Sequence, residues 1–219
     1  MFVLTACGPQ IGSLEKGESA RVVRAANGDT LELDSGLRVF LAEIDAPGYE
    51  DAYSAQSQGE LEALALHRRV QLAYGGTKRW VRRPPREGEA APAEPPSETA
   101  IAHVFVQSEG GRWFWLQHEL VARGAALVRP RHDNHARTAA LVAVERQARA
   151  SERGLWAERG YRPLTPRAAA ALALAYNDNC LRGRAPYRII EARISAAEVL
   201  DRRASFTLDG APAESPFAI

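Results

Sequence analysis

Residues 20–42 constrain this chain more than any other stretch. Thr30-Leu31-Glu32-Leu33-Asp34 and Leu37-Arg38-Val39-Phe40-Leu41-Ala42 both alternate, and the short β-branched run Arg21-Val22-Val23-Arg24 precedes them. A period of two puts Leu31 and Leu33, then Leu37, Val39 and Leu41, on one face of extended chain. Asn27-Gly28 and Ser35-Gly36 are turn signals between the runs. The result is a three-strand meander whose apolar face must be covered by something else.

The cover lies downstream. Gln56 to His67 has helical spacing, with Leu61, Leu64 and Ala65 on one stripe. Arg69 to Tyr74 reads as a fourth strand closed by Gly75-Gly76, and Ile101 to Val106 as a fifth. Trp113 to Arg123 is expected to be a helix capped by Gly124. A longer helix is expected over His135 to Arg153, with the stripe Leu141, Val144, Ala148. Between the fourth and fifth strands, residues 77–99 carry Lys78, Arg79, Arg82, Arg83 and Arg86, then Glu87, Glu89, Glu94 and Glu98, broken by five prolines. Such a composition cannot bury a core and reads as an inserted loop. Beyond it, Pro166 to Tyr176 is an Ala-rich helix candidate. Pro186 to Ile194 and Ser205 to Leu208 are strand candidates joined by Asp201-Arg202-Arg203, with Phe217 to Ile219 as a third. The organisation expected is a leader over 1–18, a main domain over 19–160 and an extension over 161–219.

Charge and cysteine content exclude several classes. With 28 Lys+Arg against 27 Asp+Glu the net charge is +1. That is neither a polycationic nucleic-acid coat nor an acidic tail, so any nucleic-acid contact must come from a local patch. Arg38, Arg82, Arg83 and Arg86 are the candidates. Two cysteines exclude a disulfide scaffold and a multi-thiolate zinc site. No apolar run approaches the ~20 residues of a membrane span. Leu4-Thr5-Ala6-Cys7 resembles a bacterial lipobox, which makes Cys7 a lipidation candidate, although only six residues precede it and none is basic. On that reading the chain is periplasmic or a membrane-anchored lipoprotein; otherwise it is cytoplasmic. Cys180 reads as a small buried apolar residue.

Asn27-Gly28-Asp29-Thr30-Leu31, then Leu41-Ala42-Glu43-Ile44-Asp45-Ala46-Pro47, resembles the staphylococcal nuclease (thermonuclease-like) family. Leu120-Val121-Ala122-Arg123-Gly124-Ala125-Ala126 and Ala148-Arg149-Ala150-Ser151-Glu152-Arg153-Gly154-Leu155-Trp156 resemble its later helices. The likeness covers about residues 19–160. It implies an α+β fold, a five-stranded OB-type β-barrel flanked by three helices, here with a small C-terminal β extension. It also implies calcium-dependent hydrolysis of phosphodiesters in DNA and RNA. That chemistry needs carboxylates for a hard cation, a carboxylate for the attacking water, and arginines for charge growing on the phosphoryl oxygens.

Carried over by position, the resemblance makes Asp29 and Asp45 the calcium ligands. Read from the residues alone, Asp29 is a turn residue bonding its own backbone and Asp45 a strand-end cap. The other family positions have changed. The first arginine position is Phe40, the water-activating glutamate position is Gly48, and the second arginine position is Thr99. The tyrosines of the nucleotide pocket are missing near Val128 to Arg131. Glu50 or Asp51, and Arg82, Arg83 or Arg86, are the residues that could rebuild the site. Two aspartates alone predict roughly millimolar or weaker calcium binding. A cleft narrowed and made apolar by Phe40 is also expected.

Three further clusters have structural readings. His132-Asp133-Asn134-His135 reads as a cap or loop rather than metal ligands. His103 reads as a packed or paired core histidine, and Trp113, Phe114 and Trp115 as core anchors. The leading functional expectation is a nuclease-fold protein with a degenerate site, binding nucleic acid or another protein in the bacterial envelope. The alternatives are a divergent calcium-dependent phosphodiesterase with rebuilt catalytic groups, or a purely structural envelope lipoprotein.

Overall fold

The structure is a computed structural model, and it describes residues 9–49, 51–80, 99–178, 189–200 and 203–211. Cys7, Arg82, Arg83, Arg86, Glu50, Cys180, the turn at 201–202 and the strand expected at Phe217 lie outside these residues. The chain divides into two compact units, Met1–Trp156 and Ala157–Ile219.

In the first unit, the elements run β1 (Glu15–Ala25), β2 (Thr30–Leu33), β3 (Arg38–Leu41), β4 (Ile44–Asp45), α1 (Ser54–Ala65), β5 (Arg69–Tyr74), β6 (Arg79–Trp80) and β7 (Thr99–Gln107). They continue as β8 (Trp113–Trp115), α2 (Leu116–Ala122), β9 (Leu127–Val128) and α3 (Thr138–Ala150). Five strands close a barrel. β1 pairs antiparallel with β2 and with β5, β2 pairs with β3, β5 pairs with β7, and β3 pairs with β7 in parallel. Closure is possible because the two long strands are each shared. Residues 15–21 of β1 pair with β5, while Val22–Ala25 pair with β2 across a register shift between Val22 and Arg24. Such a bulge bends the strand and adds twist. β7 gives Thr99–Ala102 to β3 and His103–Val106 to β5.

The interior is the one the alternation predicts. Leu31, Leu33, Val39 and Leu41 are buried with Val70, Leu72, Ala102, Val104 and Val106, and Leu61, Leu64 and Ala65 of α1 join the same core. Helix α2 is fastened by Gln117, whose amide accepts from the Val104 N–H at 3.1 Å and donates to the Ala102 carbonyl at 2.9 Å.

Several expected elements differ in extent. β1 begins at Glu15, inside the expected leader. Trp113–Trp115 is not the start of a helix but a strand on β7, with Gln107↔Trp113 and Phe105↔Trp115 in register. A tight turn between Ser108 and Arg112, closed by a 2.7 Å hydrogen bond, makes this hairpin. α3 starts at Thr138 rather than His135 because residues 131–134 are held in a turn, with Arg131 bridged to Asn134. The Asn134 side chain is buried and donates to the Thr77 carbonyl at 2.9 Å, so this polar cluster is a loop plug.

The second unit contains α4 (Pro166–Asp178) and an antiparallel hairpin of β10 (Ile194–Leu200) and β11 (Arg203–Leu208), in which Val199 pairs with Ala204. Of the strand expected over Pro186 to Ile194, residues 186–188 lie outside the described residues, and β10 starts at its last residue, Ile194. No helix among the described residues is long and apolar enough to cross a membrane.

Gly124 ends α2 as expected, at φ +67°, and a Cβ there would stand 2.1 Å from the Arg153 carbonyl oxygen. Left-handed backbone and a clash with main chain are both costly. Gly124→Ala should therefore destabilise the first unit by about 2 kcal/mol or more, read as a lowered urea midpoint with an unchanged slope.

Candidate functional site

The site forms where the β1–β2 turn meets β4. Asn27 Oδ1 accepts the Asp29 N–H at 3.0 Å, so the Asx turn here is made by Asn27 and not, as the residues alone suggested, by Asp29 bonding its own backbone. The Asp29 carboxylate does more than turn the chain. Oδ1 accepts from the Thr30 hydroxyl at 2.8 Å, and Oδ2 accepts from the Ala46 N–H at 3.1 Å, next to Asp45. Gly28 permits this approach, since a Cβ there would lie 2.0 Å from Ser57 Oγ and 2.7 Å from the Ala46 Cβ. Burial raises the Asp29 pKa above its ordinary value and the Asp45 charge adds to the rise, against hydrogen bonds from Ala46 and Thr30 that lower it. The structure thus brings the two predicted aspartates together.

Asp45 is held on β4, which pairs with β9 through Asp45↔Leu127. Its carboxylate accepts from Arg129 Nη1 at 2.7 Å, with both side chains about one-third exposed. The Arg129 N–H in turn donates to the Glu43 carbonyl at 2.8 Å. The sequence reading passed over Arg129, noting only that the expected tyrosines were absent nearby.

Of the remaining predicted residues, Arg38 and Phe40 lie on the outer, half-buried face of β3, between the buried Val39 and Leu41. Arg38 Nη2 donates to Glu32 Oε1 at 3.0 Å, and Arg24 Nε donates to Glu32 Oε2 at 2.8 Å. Hydrogen bonding from Arg24, and then from Arg38, lowers the Glu32 pKa. Gly48 is exposed, and its N–H donates to Asp51 Oδ2 at 2.8 Å, so Asp51 serves the loop. Thr99 is buried, opposite Trp80 and level with Arg38 in register.

Behind the site lies a buried network that sequence reasoning found only in part. His103 is fully buried and paired, as expected, and its partner is Glu43, with Nε2 to Oε1 at 3.2 Å. The Glu43 carboxylate also accepts from the Arg137 N–H at 2.9 Å and the Thr138 hydroxyl at 2.7 Å. Trp115 covers His103 edge-on at 5.5 Å, an anchor in the expected sense. Glu43 sits at φ +65°, uncommon for a residue with a side chain. The available signal was a single acid in the apolar run Leu41 to Ile44 and a single histidine in the apolar run Ile101 to Val106.

The calcium that the resemblance implies can be tested against these donors. Calcium takes six to eight oxygens. Asp29 and Asp45 supply carboxylates, but a guanidinium already stands against Asp45, and no third metal-ligating side chain joins them among the described residues. The described residues alone do not fit a calcium centre.

The staphylococcal nuclease homologue family matches residues 38–158, just over half of the 219-residue chain. A barrel closed by five strands is consistent with that family's fold, and the chain belongs to it. It is also similar to a protein of Haemophilus influenzae named as an uncharacterized endonuclease, with 28% identity over 168 residues, 75% of this chain and 76% of that protein.

Glu43 positions both sides of the site, through its carbonyl to Arg129 and through the chain to Asp45. Burial would raise its pKa, but the hydrogen bonds from His103, Arg137 and Thr138 outweigh this and hold it below the ordinary value of 4.5. A lowered carboxyl pKa contributes stability that is full above the unfolded value and is lost as pH falls through the folded one. Removing one partner of a buried pair is costly, so Glu43→Ala should lose about 3 kcal/mol at neutral pH. Urea titrations below pH 5 should show the gap between wild type and variant narrowing, by about the loss of this one linkage.

Proposed function

We propose that this chain is a nucleic-acid-binding module on a nuclease fold that does not hydrolyse phosphodiesters efficiently. One observation carries the reading: the two arginine positions and the glutamate position that the family resemblance expects each hold a residue that cannot do the work, although both aspartate positions are kept. Phe40 donates no hydrogen bond, Gly48 has no side chain, and Thr99 is buried. Among the described residues, Asp51 is engaged on the Gly48 N–H and Arg38, which shares the face of Phe40, is engaged on Glu32; Glu50, Arg82, Arg83 and Arg86 lie outside the described residues. Losing one preorganised charge-stabilising group costs about 10²–10³ in rate, and losing a general base about 10²–10⁴. These losses are not additive, yet any two leave little of such a mechanism.

Nucleic acid remains the ligand class on this reading because the outer face of β3 carries the half-buried ring of Phe40 and, beside it, two guanidinium groups, Arg38 and Arg24, that share the single carboxylate of Glu32 and so leave a net positive charge. Guanidinium groups serve phosphates, and an aromatic ring serves bases by stacking. A second reading, a divergent phosphodiesterase, is favoured by the name of the Haemophilus influenzae relative, an endonuclease.

The test is binding and turnover of single-stranded DNA and RNA by the full chain, with and without calcium. Binding without turnover is expected, and Phe40→Arg with Gly48→Glu should stay within about tenfold of wild type, because the second arginine is still absent. Adding Thr99→Arg would bury a charge and should cost stability rather than raise activity, since Thr99 is buried. Wild-type turnover that Asp29→Asn lowers by about a hundredfold would replace this reading with the second.

A further inference from the structure

We infer that Arg129 is the resident cation of the two-aspartate site: it takes the place of a divalent metal beside Asp45 and makes contact with a phosphodiester independent of metal. The inference deepens the nucleic-acid reading above and rests on it only for the identity of the anion. Two carboxylates drawn together in a partly buried place repel each other, and the site needs a positive charge. Arg129 supplies one at 2.7 Å from Asp45 Oδ2.

The placement is built into the backbone. The Arg129 N–H is bound to the Glu43 carbonyl at 2.8 Å, immediately after the β4–β9 pairing of Ile44 with Val128 and Asp45 with Leu127. Arg129 thus stands opposite Glu43 and Asp45 opposite Leu127, and their side chains meet diagonally across the ladder, although 84 residues separate them. Glu43, whose carbonyl takes that N–H, is itself fixed by His103, Arg137 and Thr138. A side chain held this way is in position before any ligand arrives.

The chemistry differs from that of a metal in two ways. A guanidinium is a permanent cation whose planar fork carries five donors, more than one carboxylate can accept. It can keep one N–H on Asp45 and present others of the fork to phosphate oxygens. It also opposes a second cation at the same carboxylate, because a divalent ion would have to displace it or sit against its charge. Both Arg129 and Asp45 are about one-third exposed, so a ligand can reach them.

Two measurements on the full chain test this, with Arg129→Gln removing the charge and Arg129→Lys keeping it. Calcium chloride titrated calorimetrically should bind Arg129→Gln about tenfold tighter than wild type, and Arg129→Lys much as wild type, since a charged partner is worth about that much. A fluorescent single-stranded oligonucleotide in a chelating buffer should bind wild type and Arg129→Lys alike and Arg129→Gln about tenfold more weakly. The lysine variant also guards against misfolding, because a site lost to unfolding is not restored by charge alone. Equal calcium affinity in wild type and Arg129→Gln overturns the assignment, as does wild-type oligonucleotide binding that requires calcium. If no protein binds the oligonucleotide in either buffer while Arg129→Gln still gains calcium, the resident-cation assignment holds and the nucleic-acid reading fails.

Discussion

The barrel depends on its parallel seam, where Arg38–Leu41 of β3 pair with Thr99–Ala102 of β7. Antiparallel neighbours can be joined by a tight turn, but parallel ones need a long connection. Here the connection carries α1, β5 and β6, so the helix that caps the core and the strand that completes the barrel both lie between the two sides of the seam. The outer face of β3 holds Arg38 and Phe40, and β3 leads straight into β4 and Asp45. The same pairing that closes the core therefore sets the floor of the candidate site.

Glu43 carries that order into the site. A buried carboxylate is stable only when its oxygens are satisfied. This one collects donors from His103 on β7 and from Arg137 and Thr138 at the start of α3. Its left-handed backbone turns the chain between β3 and β4. The network therefore locks helix α3, the central strand and the β3–β4 corner into one arrangement, and Asp45 and Arg129 project from that corner.

Most of the barrel was legible in the sequence because period-two alternation is a local signal. Leu31, Leu33, Val39 and Leu41 face the core as read, and Arg69–Tyr74 has the predicted limits. The family likeness then brought out Asp29 and Asp45. What stayed hidden is non-local or two-sided. Arg129 reaches a partner 84 residues away, and Glu43 reaches partners 94 and 95 away, and no periodicity reports such contacts. Trp113–Trp115 was read as helix because an aromatic run before a helical pattern looks continuous with it. The turn at Ser108–Arg112, upstream of the run, folds it back onto β7 as a strand before the helix begins at Leu116. Glu145, buried within the apolar stripe of α3, accepts from the Val128 N–H at 2.7 Å, and so a polar residue fills a place that pattern reading gives to an apolar one.

The clamp at β6 has a consequence for how this chain can be altered. Trp80 and Thr99 are register partners, as are Arg79 and Ala100, so the chain before residue 81 and the chain after residue 98 meet at adjoining points of the sheet. The near end is secured by Arg79, whose guanidinium donates to Tyr74 Oη at 2.6 Å and to Glu18, while Tyr74 Oη donates to Glu18. Burial, then the Glu18 contact, pushes the Tyr74 hydroxyl up to about 12, so the clamp persists across the physiological pH range. The cost of a longer excursion grows only by about 0.6 kcal/mol per doubling of its length. The barrel thus has a port at this point, through which a tag, a second domain or a new pair of termini could be introduced without asking any core residue to move.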